Sequence, residues 1–183
     1  MSLPVGDVTF LFSDIEGSTR LARELGAERW IALLRDHDSA AATAVTSAGG
    51  TVVKHEGDGM FAVFADPRSA AAAAIELSRA ASRFGPEAGG PIRVRIGIHS
   101  GAGMVTESGL DYVGLDVHYA ARLAAAGNGG QILVSDTAAR RLGEAPPVGH
   151  LVDEGFHRLR DFDDARRIHR LVVAGTADDD RAL

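Results

Sequence analysis

At 183 residues, 45% of them hydrophobic and 24% charged, the chain has the size and balance of one folded globular domain with a sizeable core. A net charge of −6 argues against broad nucleic-acid binding, and the absence of cysteine excludes disulfides, a thiolate nucleophile and a cysteine zinc site. No apolar run is long enough to span a bilayer, and the opening "MSLPVGD" lacks the basic and apolar regions of a signal peptide, so a cytoplasmic protein with no membrane or nucleic-acid partner is expected.

After a short extension over residues 1–7, "DVTFLFSD" is a buried strand, because its apolar run is too brief for a typical helix. Thr19 to about Ser47 is expected to be helical, as one long or two shorter helices. "TVVKH" and "MFAVFA" are strands, and the Gly-flanked acids of "EGDG" between them make a hairpin turn. "DPRSAAAAAIELSRAASRF" is a helix capped by Asp66, with Pro67 in its first turn, and "GPEAGG" closes it. "IRVRIGIHSGAG" alternates as a strand does, and "LDYVG" is a short strand or turn. "LDVHYAARLAAAG" is a helix stopped by "GNGG"; "QILVS" is a strand and "DTAARRL" a short helix. "FHRLR" and "RIHRLVVA" are read as the last two strands, before a frayed, disordered tail over 174–183. The order predicts an α+β fold over 8–173: a ferredoxin-like core with additions, its mixed or antiparallel sheet covered by helices on one face.

Asp14 ends the first strand and Asp58 sits in the hairpin turn. In a ferredoxin-like core these strands are neighbours, so the two carboxylates can meet at one rim. Either Asp taken alone is a turn or cap residue; together, as hard oxygen ligands, they favour Mg²⁺ or Mn²⁺. The "IEGST" turn after Asp14 brings backbone N–H groups to a helix start, which suits phosphate oxygens. Neither a Walker A loop nor a G-x-G-x-x-G fingerprint is present. Lys54 precedes Asp58 by four residues, and His118 and Arg122, also four apart, share a helix face. His37, His55, His99, His150, His157 and His169 show no metal-ligand spacing and are read as structural or exposed.

"FLFSDIEGSTRL", "KHEGDGMFAVF", "RIGIHSG" and "DYVGLDVHYAARL", in that order, resemble the catalytic domain of class III nucleotidyl cyclases of the bacterial, mycobacterial-like kind. The resemblance implies an adenylate cyclase that converts ATP to 3′,5′-cyclic AMP and pyrophosphate. It implies a homodimer with active sites between the subunits and two metal ions, Mg²⁺ or Mn²⁺, in each. Asp14 and Asp58 match the metal-binding aspartates, with the backbone of Ile15 as a further ligand. Glu16, Gly17, Ser18 and Thr19 lie beside the terminal phosphates. Lys54 and Asp111 match the pair that reads adenine, and Arg122 matches the arginine that stabilises the transition state. Arg158 or Arg160 matches a phosphate-binding basic residue.

Two departures stand out. His118 occupies the place of an Asn that positions the ribose, and Ser18 replaces an aromatic residue found in many cyclases. A ring N–H can donate where the amide would, but its size differs. The competing readings are a cyclase-like binding or dimerisation module with little turnover, a guanylate cyclase, and a diguanylate cyclase. The Lys54/Asp111 pair opposes the second, and the lack of a G-G-[DE]-E-F-like signature opposes the third.

Overall fold

The computed structural model describes residues 3–84, 91–143, 148–176 and 181–183. The "GPEAGG" segment, expected to close a helix, lies outside the described residues. Strand β1 (Gly6–Ile15) leads into α1 (Ser18–Leu25) and α2 (Ala27–Ser47), two helices separated at Gly26. The hairpin β2 (Thr51–Glu56) and β3 (Gly59–Phe64) follows, then α3 (Pro67–Ala81) and β4 (Val94–Val105). Asp66 caps α3 by accepting from the N–H groups of Arg68 and Ser69, satisfying donors that the first helical turn leaves open.

These elements form a βαββαβ unit, with its strands in the order β2-β3-β1-β4 and antiparallel throughout. That is the expected ferredoxin-like core. The additions are β5 (Tyr112–Val113), α4 (Leu115–Ala126), β6 (Ile132–Ser135), α5 (Asp136–Leu142), β7 (His150–His157) and β8 (Arg166–Val172). The short β5 pairs with the far end of β4. β6 joins β4 in parallel, and the sheet continues through β8 to β7. The result is a mixed sheet within an α+β fold, as read from the sequence.

Two details differ from that reading. The penultimate strand is His150–His157, upstream of the expected "FHRLR", and Arg158–Asp161 instead leave the strand and turn. "HLVDEGFH" conceals a strand because two acids and a glycine interrupt its pattern, and the register shifts between Asp153 and Gly155. The helices also cover both faces. Leu11 and Ile15 point into the main core with α2, α3 and α5, whereas Phe10 packs with Ala120 of α4 on the other face. Gly97 makes this possible: a Cβ there would lie 2.5 Å from the Ala124 nitrogen, so α4 rests directly on the β4 backbone.

Candidate functional site

Along β1, Phe10, Phe12 and Asp14 share the face that α4 covers. Asp14 is therefore presented at the rim of the sheet beside α4. The β2–β3 turn delivers Asp58 to the same rim, where its Oδ2 accepts from the Ile15 N–H at 3.1 Å. Asp14 and Asp58 line one cavity of about 270 Å³ with Glu56, Met60 and Ala121. The Ile15 side chain is buried, so only its main chain can serve a ligand.

Asp14 already holds a cation. Arg95 stands opposite it in the β1–β4 register and donates Nε to Oδ1 and Nη2 to Oδ2, both at 2.6 Å. That contact raises the Arg95 pKa against the opposing effect of burial. Among the described residues there is no cluster of three or more His, Cys, Asp or Glu able to enclose a metal. Two carboxylates at one cavity are a donor set that fits a divalent ion bound through one or two carboxylates plus substrate phosphates.

Beyond Asp14 the chain turns through Gly17, which adopts left-handed backbone (φ 69°) and opens α1 without any side-chain cap. The Gly17 carbonyl accepts from Arg20 and Leu21. Ser18 and Thr19 thus form the first turn of a helix whose leading N–H groups face outward for an acceptor. Glu16 behaves differently from its neighbours. Its carboxylate turns to the α4–β6 loop, accepting from Gly129 N–H at 3.0 Å and from Arg181 at 3.0 Å. Burial alone would raise its pKa, but these two partners and Arg93 outweigh it and hold the group below its usual range. Gly129 permits the approach, since a Cβ there would stand 2.4 Å from the Glu16 carboxylate.

A second group forms around Lys54. The β2 register shifts between Val52, opposite Ala62, and Lys54, opposite Phe61. This bulge turns Lys54 toward the α4 side of the sheet, where it meets Asp111 at 2.7 Å and Glu56 at 3.1 Å. The hydrogen bond to Asp111 is the main reason the Lys54 pKa is raised. For Asp111, burial pulls upward, but Lys54 and the Tyr112 N–H prevail and lower its pKa. Tyr112 fixes this loop: its ring packs edge-on to Phe10 at 5.3 Å and its hydroxyl donates to the Pro4 carbonyl. Burial pushes that phenol up to about 12.

On α4, His118 is exposed and Arg122 half-exposed. Arg122 donates Nε to Oδ2 of Asp161 at 2.8 Å, and Nη2 lies 2.7 Å from the same oxygen in an ion pair. It does not line the Asp14–Asp58 cavity, although Ala121 and Ala124 of the same helix do. Among the other histidines, His99 is buried, with its ring nitrogens on Asp116 and Ser135. Burial lowers its pKa despite Asp116. Sequence reasoning missed Arg95 and Asp161. Arg95 was discoverable, because an Arg four strand positions before the "HSG" segment falls opposite Asp14 once β1 and β4 are paired; Asp161 had no such signal.

The family described as "Adenylate and Guanylate cyclase catalytic domain" matches residues 2–158. The uncharacterized protein Rv0891c of Mycobacterium tuberculosis is 34% identical over 160 residues, which are 86% of this chain and 53% of that protein. The chain thus spans about half the length of this curated relative. A solved adenylate cyclase of Trypanosoma brucei, described in its monomeric state, superposes with a TM-score of 0.81 at 25% identity, over 97% of this chain and 96% of that one. The guanylate cyclase domain of RhGC from Catenaria anguillulae, solved with GTP, shares the fold at TM-score 0.80 and 19% identity, over 92% and 97% of the two chains. With its sequence matched across nearly its whole length and its fold shared with solved cyclases, the chain belongs to the family of class III adenylate and guanylate cyclase catalytic domains.

Proposed function

We propose that this domain is an adenylate cyclase, converting ATP to 3′,5′-cyclic AMP and pyrophosphate. The observation that carries the choice of purine is the Lys54–Asp111 contact at 2.7 Å. Lys54 can donate to adenine N1, and Asp111 can accept from the exocyclic amine. Guanine presents the opposite pattern on those edges. In the free protein the two groups satisfy each other, and the adenine edge would take the place of that contact.

Two ions of Mg²⁺ or Mn²⁺, held by Asp14, Asp58 and the Ile15 carbonyl, would acidify the ribose 3′-hydroxyl and neutralise the triphosphate. The chain's own residues do the rest. Arg95, which holds both Asp14 oxygens in the free protein, would have to release them for Asp14 to serve as such a ligand. The turn of Glu16, Gly17, Ser18 and Thr19 offers backbone N–H groups to the terminal phosphate oxygens, while the Glu16 carboxylate stays turned to Gly129 and braces the turn. His118 donates to the ribose, and Arg122 meets the charge that develops on the α-phosphoryl group as the 3′-oxygen attacks in line. Losing one such donor typically lowers the rate about a hundred- to a thousandfold.

Arg122 stands apart from the Asp14–Asp58 cavity of its own chain, which supports a homodimer whose sites draw the aspartates from one subunit and Lys54, Asp111, His118 and Arg122 from the other. Among the described residues no helix is long and apolar enough to cross a membrane, in keeping with a cytoplasmic enzyme. One feature favours a second reading, a nucleotide-binding module with little turnover: His118 stands where the family resemblance leads one to expect Asn. Incubation with ATP or GTP and Mn²⁺, followed by chromatography of the products, tests these readings. Cyclic AMP is the expected product. Cyclic GMP alone would make the domain a guanylate cyclase, and bound but unconverted nucleotide would favour the module.

A further inference from the structure

The segment between β7 and β8 carries a backbone irregularity with a chemical purpose. The Phe162 N–H donates to the Leu159 carbonyl at 3.1 Å, closing a four-residue turn. Asp161 holds the third place in that turn with a φ of 67°, and it is the one non-glycine residue with positive φ among the described residues. Glycine adopts this conformation at least cost. A side chain kept there points to a task for its carboxylate.

The turn is anchored on both sides of Asp161. Leu159 is buried in a cluster with Tyr119 and Leu123 of α4. Phe162 packs edge-on against Tyr119, ring centroids 5.3 Å apart. Tyr119, Arg122 and Leu123 lie on adjoining positions of one helical surface. The apolar anchors therefore set the turn over α4 and carry the Asp161 carboxylate to Arg122. An ion pair as exposed as this one adds little to stability, so holding the fold together does not explain it. Arg160, also beside Asp161, lies farther off at 3.9 Å.

We propose that Asp161 is a positioning residue for Arg122: its carboxylate grips the Nε/Nη2 edge and turns the remaining guanidinium N–H groups outward, toward a phosphoryl group. This rests on the reading of Arg122 as the group that meets the reacting phosphate. Oδ2 accepts from Nε at 2.8 Å and lies 2.7 Å from Nη2, which holds that edge of the guanidinium and leaves Nη1 for substrate. A lysine could not be held and presented at once in this way.

The test is a mutant cycle. Asp161→Asn and Asp161→Gly both suit left-handed backbone, so neither strains the turn. Each is made in the parent and in Arg122→Ala, and turnover is measured with saturating Mn²⁺-ATP. In the parent, kcat is expected to fall by up to about a hundredfold, with KM little changed, since the bound substrate is met by a misaimed donor. With Arg122 absent, the same substitutions are expected to have no further effect. Equal losses in both backgrounds would overturn the proposal, because they would mark a purely structural role. A second measurement does not depend on turnover: the Nε–H resonance of Arg122, assigned by its loss in Arg122→Ala. It is expected to be protected from exchange in the parent and exposed in Asp161→Gly; an unchanged resonance would overturn the contact. If the parent cyclises no nucleoside triphosphate, the reading of Arg122 falls, and the resonance alone upholds or overturns the Asp161 contact.

Discussion

Arg95 holds both carboxylate oxygens of Asp14 across the β1–β4 pair, so the proposed metal ligand is occupied by a guanidinium before any metal arrives. Binding of a metal at Asp14 would have to displace this internal cation. In the absence of nucleotide, Arg95→Gln is expected to bind Mn²⁺ more tightly than the parent. The gain is limited to what a partly exposed ion pair contributes, about 1 kcal/mol or roughly fivefold. Titration calorimetry with Mn²⁺ alone reads this. Asp14→Ala and Asp58→Ala are expected to abolish metal-dependent turnover while circular dichroism still shows a folded protein. Near-normal turnover in either would remove that residue from the metal site.

The purine pair makes a prediction about substrate choice. Lys54→Glu combined with Asp111→Ser inverts the donor and acceptor pattern and leaves polar groups of adenine unpaired. Each mismatch typically costs about 1–3 kcal/mol. A marked fall in kcat/KM for ATP is expected in competition assays against GTP. Unchanged preference for ATP would mean that these side chains do not read the base.

A shared site has a genetic signature. Asp58→Ala is expected to be inactive and Arg122→Ala to be slowed about a hundred- to a thousandfold; a mixture of the two is expected to recover activity, because one heterodimeric site regains every group. Subunit exchange is verified first by mixing tagged chains. A mixture that exchanges yet stays inactive would place all the groups of a site within one chain.

His118 tests the departure from the family pattern. His118→Asn is expected to match or exceed the parent, and His118→Ala to fall below it by losing the donor to the ribose. The comparison is kcat at saturating Mn²⁺-ATP. Parity between His118→Ala and the parent would show that the exposed face of α4 does not touch the sugar there.

Acid sensitivity is expected from α2. His37 is buried, its Nδ1 has no hydrogen-bond partner among the described residues, and its ring packs against Phe84. Burial depresses its pKa below the ordinary 6.5, although Asp38 and Asp58 pull the other way. The unfolded chain therefore takes up a proton at a higher pH than the native one. The stabilising contribution is complete above about pH 6.5 and is lost as pH falls from there through the folded-state pKa. Melting temperatures from pH 7.5 down to 5.5 should decline in the parent and decline less in His37→Leu. Identical slopes would assign the acid sensitivity elsewhere, His99 being the next buried candidate.

The core from β1 to β4 was legible because its strands are short apolar runs divided by plain punctuation: Asp66 and Pro67 before α3, and "EGDG" between β2 and β3. Lys54 and Asp111 were singled out together only through the family resemblance, and their direct contact at 2.7 Å is a finding of the structure. What stayed hidden depended on pairing. The face taken by α4 follows from Gly97, whose missing side chain gives no signal in isolation. Arg95 becomes meaningful only opposite Asp14, and Asp161 only where the anchored turn passes over α4. The β7 strand was displaced in the reading because its bulge at Gly155 breaks the alternation that would have revealed it.

The irregularity in β2 has a consequence for how this sequence can change. Strict alternation from Val52, whose side chain joins the main core, would send Lys54 to that same core. The additional residue reverses the parity, and the ammonium emerges beside Asp111 instead. Substitutions at Val53 alter only packing. Were β2 to pair with β3 by strict alternation at its present length, the ammonium would be driven into the hydrocarbon interior and the proposed base-reading group taken out of the cleft in one step. The face that Lys54 takes is thus decided by whether β2 keeps its bulge, more than by which apolar side chain fills position 53.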